Sequence, residues 1–399
     1  MAEQATQPGG SWPEVLRVFL KLGLTSFGGP VAHLGYFRAE FVARLGWLAE
    51  SAYADLVALC QFLPGPASSQ VGIGIGLLRA GLPGAFAAWS GFTLPSALAM
   101  VLFAYGAARL ESAAGTGWLH GLKIAAVAVV AQAVWGMAQA LCPDRERATF
   151  AVVAAIVVLT VPTAWGQVGA IALGAIAGLV VLPRTAQPPG AALTVPIGRG
   201  FALACLTLFF ALLIGLPILA AAVPDHALAL VSSFYRSGSL VFGGGHVVLP
   251  LLQAAVVPPG WITDDAFLAG YGAAQAVPGP LFTFAAYLGA AMQPAPNGWA
   301  GAILCLVAVF LPSFLLVFGA LPFWAQLRDR PAAQTALRGI NAAVVGLLLA
   351  ALYQPVWTSA ILRPADFAVA ITAFLLLSLW RTPPWLVVVL AAVAGQMLG

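Results

Sequence analysis

The chain has 399 residues, of which 61% are hydrophobic and 8% charged, with a net charge of +4. An ordinary soluble domain carries about 25% charged residues, so this composition excludes a soluble fold and describes a polytopic membrane protein. Cys60, Cys142, Cys205 and Cys305 stand singly in apolar segments. Without CxxC or Cys/His spacing they read as inert buried thiols, and neither a disulfide framework nor a metal centre is expected.

In chain order, Met1 to Gly10 is polar, and no basic region followed by a cleavable apolar core marks a signal peptide. Two interrupted apolar segments follow, 14 to 46 broken at Gly28-Gly29-Pro30 and 51 to 80 broken at Pro64-Gly65-Pro66. Clear spans then cover Leu82 to Leu110, Trp118 to Leu141, Thr149 to Val161 and Trp165 to Leu182. One further span, Phe201 to Val223, precedes a second pair of interrupted segments, 227 to 257 and 263 to 292. Gly298 to Phe323, Thr335 to Tyr353, Phe367 to Trp380 and Trp385 to Leu398 complete the chain.

The interruptions repeat. Phe27-Gly28-Gly29 returns as Phe242-Gly243-Gly244, and Pro64-Gly65-Pro66 as Pro278-Gly279-Pro280, with displacements 242−27 = 215 and 278−64 = 214. Gly46-Trp47, Gln61, Leu94-Pro95-Ser96 and Gly121-Leu122-Lys123 also recur, the last as Gly339-Ile340-Asn341. The chain is therefore a duplication, residues 1–197 and 198–399. Helix-breaking signals at matching places in both halves are the mark of a secondary transporter and point to its site.

Loop charge sets the relative orientation of the copies. Ser112 to His120 has no Lys or Arg, whereas its counterpart, Ala325 to Arg338, holds Arg328, Arg330 and Arg338. By the positive-inside rule the first loop is outside and the second cytoplasmic. Arg145, Arg147, Arg184 and Arg199 are cytoplasmic by the same rule, and the N-terminus with them. The extra span at Phe201 to Val223 then inverts the second copy. The expected fold is all-α, with two repeats in inverted topology and broken or re-entrant helices at FGG and PGP. Arg109 and Arg363 dissent, falling at the outer face.

Broken helices leave backbone groups that lipid cannot satisfy, so they persist where they line a cavity or are buried in protein. A half-helix beginning after Pro66 turns its positive end into the break, a geometry suited to an anion. Ser68, Ser69 and Gln70 add donors in its first turn, and Thr283 takes the place of Ser69 in the second copy. Lys21 aligns with Arg236, and Lys123 lies in the second turn of a strong span. These, with Arg38, are the candidate cations. Glu40, Asp55 and His33 are the candidate proton carriers, with Asp265 and His246 as further ionisable groups near membrane depth. Gly72-Ile73-Gly74-Ile75-Gly76 lacks the strand and the GK[ST] of a nucleotide loop and reads as close helix packing.

The segments FLKLGLTSFGGP (19–30), QFLPGPASSQ (61–70), VFGGGHVVLPLL (241–252) and QAVPGPLFTFAAYLG (275–289) resemble the chromate ion transporter family in its long, two-repeat form. The resemblance covers essentially the whole chain. It implies a bacterial inner-membrane exporter of chromate, a sulfate-like oxyanion, that confers resistance. It also implies that the FGG and PGP triplets, Ser68, Ser69, Gln70, Thr283, Arg38, Lys123 and Asn341 serve the transport site. No enzyme activity, cofactor, metal or nucleic acid is expected. Lipid and the oxyanion are the expected partners, and the glycine-rich helix faces suit either a homodimer or internal packing. A sulfate uptake transporter or a passive anion channel would use the same architecture.

Overall fold

The computed structural model describes residues 9–114, 116–183, 195–242, 244–324, 326 and 330–398, and every regular element among them is helical. Gly243, Arg184 and Arg328 lie outside the described residues.

The first half opens with α1 (Trp12–Thr25), which stops at Ser26. Gly28 and Gly29, at φ 101° and 77°, then turn the chain in a way closed to other residues. α2 (Gly29–Phe37) leads away and is prolonged by a π-helical stretch, Arg38–Arg44. α3 (Glu50–Phe62) runs to Pro64-Gly65-Pro66, after which α4 (Ala67–Ala114) begins. α4 is not one rod, because Ala80 and Gly81 leave helical geometry. Gly76 and Gly84 pack backbone to backbone beside that bend, so residues 67–79 and 82–114 are the arms of a hairpin.

One face of the molecule collects the ends of these segments. Gly10 N–H donates to Arg79 O at 3.3 Å, Arg79 pairs with Glu14 at 3.3 Å, and its guanidinium lies 4.9 Å above the Trp47 ring. α1–α2 and α3 with the first arm of α4 therefore both enter from this N-terminal face and return to it, with FGG and PGP at their tips. The second arm of α4, 33 residues or about 50 Å long, crosses to the opposite face. α5 (Gly117–Leu141) crosses back, and α6 (Arg145–Thr160) and α7 (Ala164–Val181) form a short hairpin.

α8 (Arg199–Ala222) crosses once more. Only 17% of its apolar window is buried, against 78% for the later crossing helix, so it faces lipid. The second half then repeats the plan from the opposite face. α9 (His226–Ser239) and α10 (Val248–Val256) flank FGG, while α11 (Asp264–Ala276) and α12 (Phe284–Ala291) flank PGP. α13 (Gly298–Ala320), α14 (Pro331–Ala351), α15 (Pro364–Ser378) and α16 (Pro384–Leu398) follow. Trp118 N–H donates to Gln396 at 3.0 Å and Arg363 to Leu398 O at 3.2 Å, which fixes these ends at the opposite face. The repeats are inverted and the broken helices re-entrant.

The halves interlace. Gly121 of α5 packs on the Ala391 carbonyl of α16, and its counterpart Gly339 of α14 packs on the Gly174 carbonyl of α7. The Gly72, Gly74 and Gly76 run is a packing face, set against Phe19, Leu56 and Gly84. All four cysteines are free thiols, three of them buried.

Candidate functional site

The four hairpin tips meet between the halves, each on the tip of the other copy. Gly65 N–H donates to Val241 O at 2.6 Å, and Gly279 N–H donates to Ser26 O at 2.8 Å. Each tip glycine also packs on the serine of the other half's Leu-Pro-Ser kink: a Cβ on Gly65 would lie 3.1 Å from Ser313 Oγ, and one on Gly279 2.8 Å from Ser96 Oγ. The two FGG turns touch near the pseudo-two-fold axis, where Gly245 faces Pro30 and Gly29 faces His246 Nε2.

A cavity of about 50 Å³ lies at this junction, lined by Gly28, Gly29, Gln132, His246, Gln275 and Gly279, among others. That is room for a few waters or one small anion. α2 begins at the cavity wall with Gly28 as its N-cap, so the positive end of its dipole faces the space. The Gln275 amide nitrogen is buried with no partner among the described residues, Gln132 donates to Leu377 O at 3.1 Å, and His246 Nδ1 lies 2.8 Å from the Tyr271 hydroxyl. An orphaned amide donor beside a helix N-terminus in a polar void is a place for negative charge. Pro66, Pro280 and Phe242 stand at the tips without lining the cavity, and Phe27 packs against Trp385.

The other expected site residues separate into three groups. Ser68, Ser69, Gln70 and Thr283 sit at the starts of the returning helices, behind the cavity. The Ser68 hydroxyl donates to His33 Nδ1 (3.3 Å), Gln70 to Pro64 O (2.7 Å) and Thr283 to Pro280 O (2.9 Å), whereas Ser69 Oγ and Gln70 Oε1 are buried without partners. His33 Nε2 faces Ser26 O at 3.2 Å, which assigns the proton to Nε2 and makes the ring a clamp between FGG and the helix after PGP.

Lys21, Arg38 and Glu40 lie toward the N-terminal face. Glu40 accepts from Arg44 at 2.7 Å and stands 3.8 Å from exposed Lys21, and Arg38 pairs with Glu50 at 2.7 Å. Asp55 is buried and engaged. Arg236, the counterpart of Lys21, is half-buried with no hydrogen bond or ion pair among the described residues. The position matching Glu40, 40+215 = 255, is Ala255.

Lys123 forms the third group. It lies on the floor of a vestibule of about 1190 Å³ that opens to the opposite face and also holds His120, Asp265 and Arg363. Asn341, its counterpart, stays in α14 with its amide oxygen buried and unpartnered. Gln132 and His246 had a faint signal in sequence, as lone polar residues in apolar surroundings; Gln275 was visible only as the repeat of Gln61, which is exposed.

The Chromate transporter family matches residues 13–180 and 228–396, leaving α8 in the gap between the two matches. A chromate transport protein of Pseudomonas aeruginosa is 30% identical over 351 residues, 86% of this chain and 81% of that protein. A probable chromate transport protein of Synechococcus elongatus is 26% identical over 97% of this chain and 96% of its own length. A chromate transport protein of Cupriavidus metallidurans is 25% identical over 98% of this chain and 94% of its own length. No solved structure matches. The chain belongs to the chromate transporter family, as a two-repeat membrane protein.

Proposed function

We propose that this protein transports chromate, a tetrahedral oxyanion, out of the cell by alternating access, with the anion bound at the junction of the four hairpin tips. The observation that supports this most is the 50 Å³ cavity walled by the N-terminus of α2 and the unpartnered Gln275 amide. A site made of neutral donors and one helix dipole binds a dianion without trapping it, and reads charge and shape rather than the central atom.

The N-terminal face, with Arg79, Arg145, Arg147 and Arg199, is the cytoplasmic one in this reading, and the membrane is the bacterial inner membrane. Moving a dianion outward across an inside-negative membrane is favourable by about 2 × 2.3 = 4.6 kcal/mol per 100 mV. That alone sustains a concentration ratio of about a thousandfold. Proton exchange would add to it, through Glu40, Asp55 or a histidine. The protein acts as a transporter and not as an enzyme on chromate.

Chromate flux in proteoliposomes under imposed potentials of either sign tests this. Saturable Cr(VI) efflux driven by a negative interior is the expected result. Sulfate accumulated inward against the potential would replace it with an uptake transporter, non-saturating flux with a channel, and conversion to Cr(III) with a reductase.

A further inference from the structure

The vestibule is not part of the central cavity. Along α11, Asp265 is on the vestibule wall and Gln275 on the cavity, ten residues or about 15 Å apart. Between them Gly272 packs directly on the Leu122 carbonyl, so α5 and α11 touch backbone to backbone and close the path. Just outside that seal, Lys123 Nζ of α5 donates to Asp265 Oδ1 of α11 at 2.8 Å.

The two partners are unequally placed. The Lys123 side chain is 11% exposed and that of Asp265 73%. A buried ammonium needs an anion, whereas an exposed carboxylate pointing into a water-filled space loses little by letting go. The neighbouring vestibule residues Arg363 and His120 are held differently. They share Asp366 at 3.7 and 3.1 Å, and Asp366 is fully buried and caps α15. Asp265 makes no such cap among the described residues, so it can be exchanged without dismantling a helix end. The device is also one-sided, since the repeat replaces Lys123 by Asn341 and Asp265 by Ser51 (265−214 = 51).

We infer that Lys123 is a second oxyanion site, on the vestibule floor, that Asp265 occupies when no anion is bound; an oxyanion that reaches the vestibule displaces the carboxylate and breaks the side-chain tie between α5 and α11 just outside the Gly272 seal. This rests on the transport reading for its ligand, a tetrahedral dianion, and makes Asp265 the competitor that sets affinity at the outer mouth.

The test is sulfate binding to the purified full-length protein in detergent, by calorimetry, for wild type, Asp265→Asn, Lys123→Ala and the double variant, each checked for monodisperse elution. Asp265→Asn is expected to tighten sulfate binding at one site by about tenfold, and Lys123→Ala to abolish that gain in the double variant. Unchanged or weaker binding by folded Asp265→Asn overturns the inference, as does an equal gain in the Lys123→Ala background. Asp265→Ala guards against an effect peculiar to asparagine and should behave alike. If the cycle comes out as expected while wild-type proteoliposomes pass no chromate, the site stands and the transport reading fails.

Discussion

Gly65 and Val241 belong to different repeats, yet the N–H of one donates to the carbonyl of the other at 2.6 Å, and Gly279 repeats the bond onto Ser26 at 2.8 Å. The tips thus satisfy across the junction the backbone groups that lipid cannot. Gly279→Ala puts a Cβ 2.8 Å from Ser96 Oγ on a backbone at φ 98°, a strain of about 1–3 kcal/mol. The variant is expected to unfold several degrees below wild type in a thermal-shift measurement and to lose flux, with Gly65→Ala behaving alike.

Gln275 separates binding from stability. Its buried amide nitrogen has no partner, and such a group destabilises the fold by about 1–3 kcal/mol. Gln275→Leu should keep or raise the thermal midpoint while the KM for chromate rises about tenfold or more. A fall in stability with unchanged KM would make the residue structural only.

Arg236 and Lys21 are equivalent by repeat but not by environment. Arg236→Gln removes a half-buried charge without a partner and is expected to raise thermal stability while lowering flux. Lys21→Gln removes an exposed member of a 3.8 Å pair, worth no more than about 1 kcal/mol. Parallel thermal shifts and initial transport rates for the two variants check this contrast.

His33 is tied at both ring nitrogens, to Ser26 O and Ser68 Oγ. The neutral ring fits that arrangement, so His33→Gln should lower stability yet leave the pH profile of transport unshifted between about pH 6 and 8, where a free histidine titrates. A displaced profile would return His33 to the proton path.

Much of the fold was legible because duplication and helix breaks leave their marks in residue type and spacing. The FGG and PGP displacements located all four tips, and the end of the second interrupted segment at residue 80 coincides with the bend at Ala80 and Gly81. Arg363, which dissents from the loop-charge pattern, lies 3.7 Å from Asp366 at the opposite face. The cavity was less legible. Gln132, His246 and Gln275 come together only because tips enter from opposite faces and pair residues as far apart in sequence as Gly65 and Val241 or Ser26 and Gly279, whereas helical periodicity speaks for neighbours. Lys123 stands out in sequence as a cation in an apolar span, but its depth relative to the breaks depends on the α5–α11 crossing.

The swapped bonds bear on how such a protein could arise. A single repeat owns half of every contact at the junction: it brings a Gly65-type donor and a Val241-type acceptor, Ser26, but each finds its partner on the other repeat. A half-length chain with these tips would need a second copy, inserted upside down in the same membrane, to close them. α8, lying outside both family matches and facing lipid, is the crossing that carries the second repeat to the opposite face and lets one chain supply both partners.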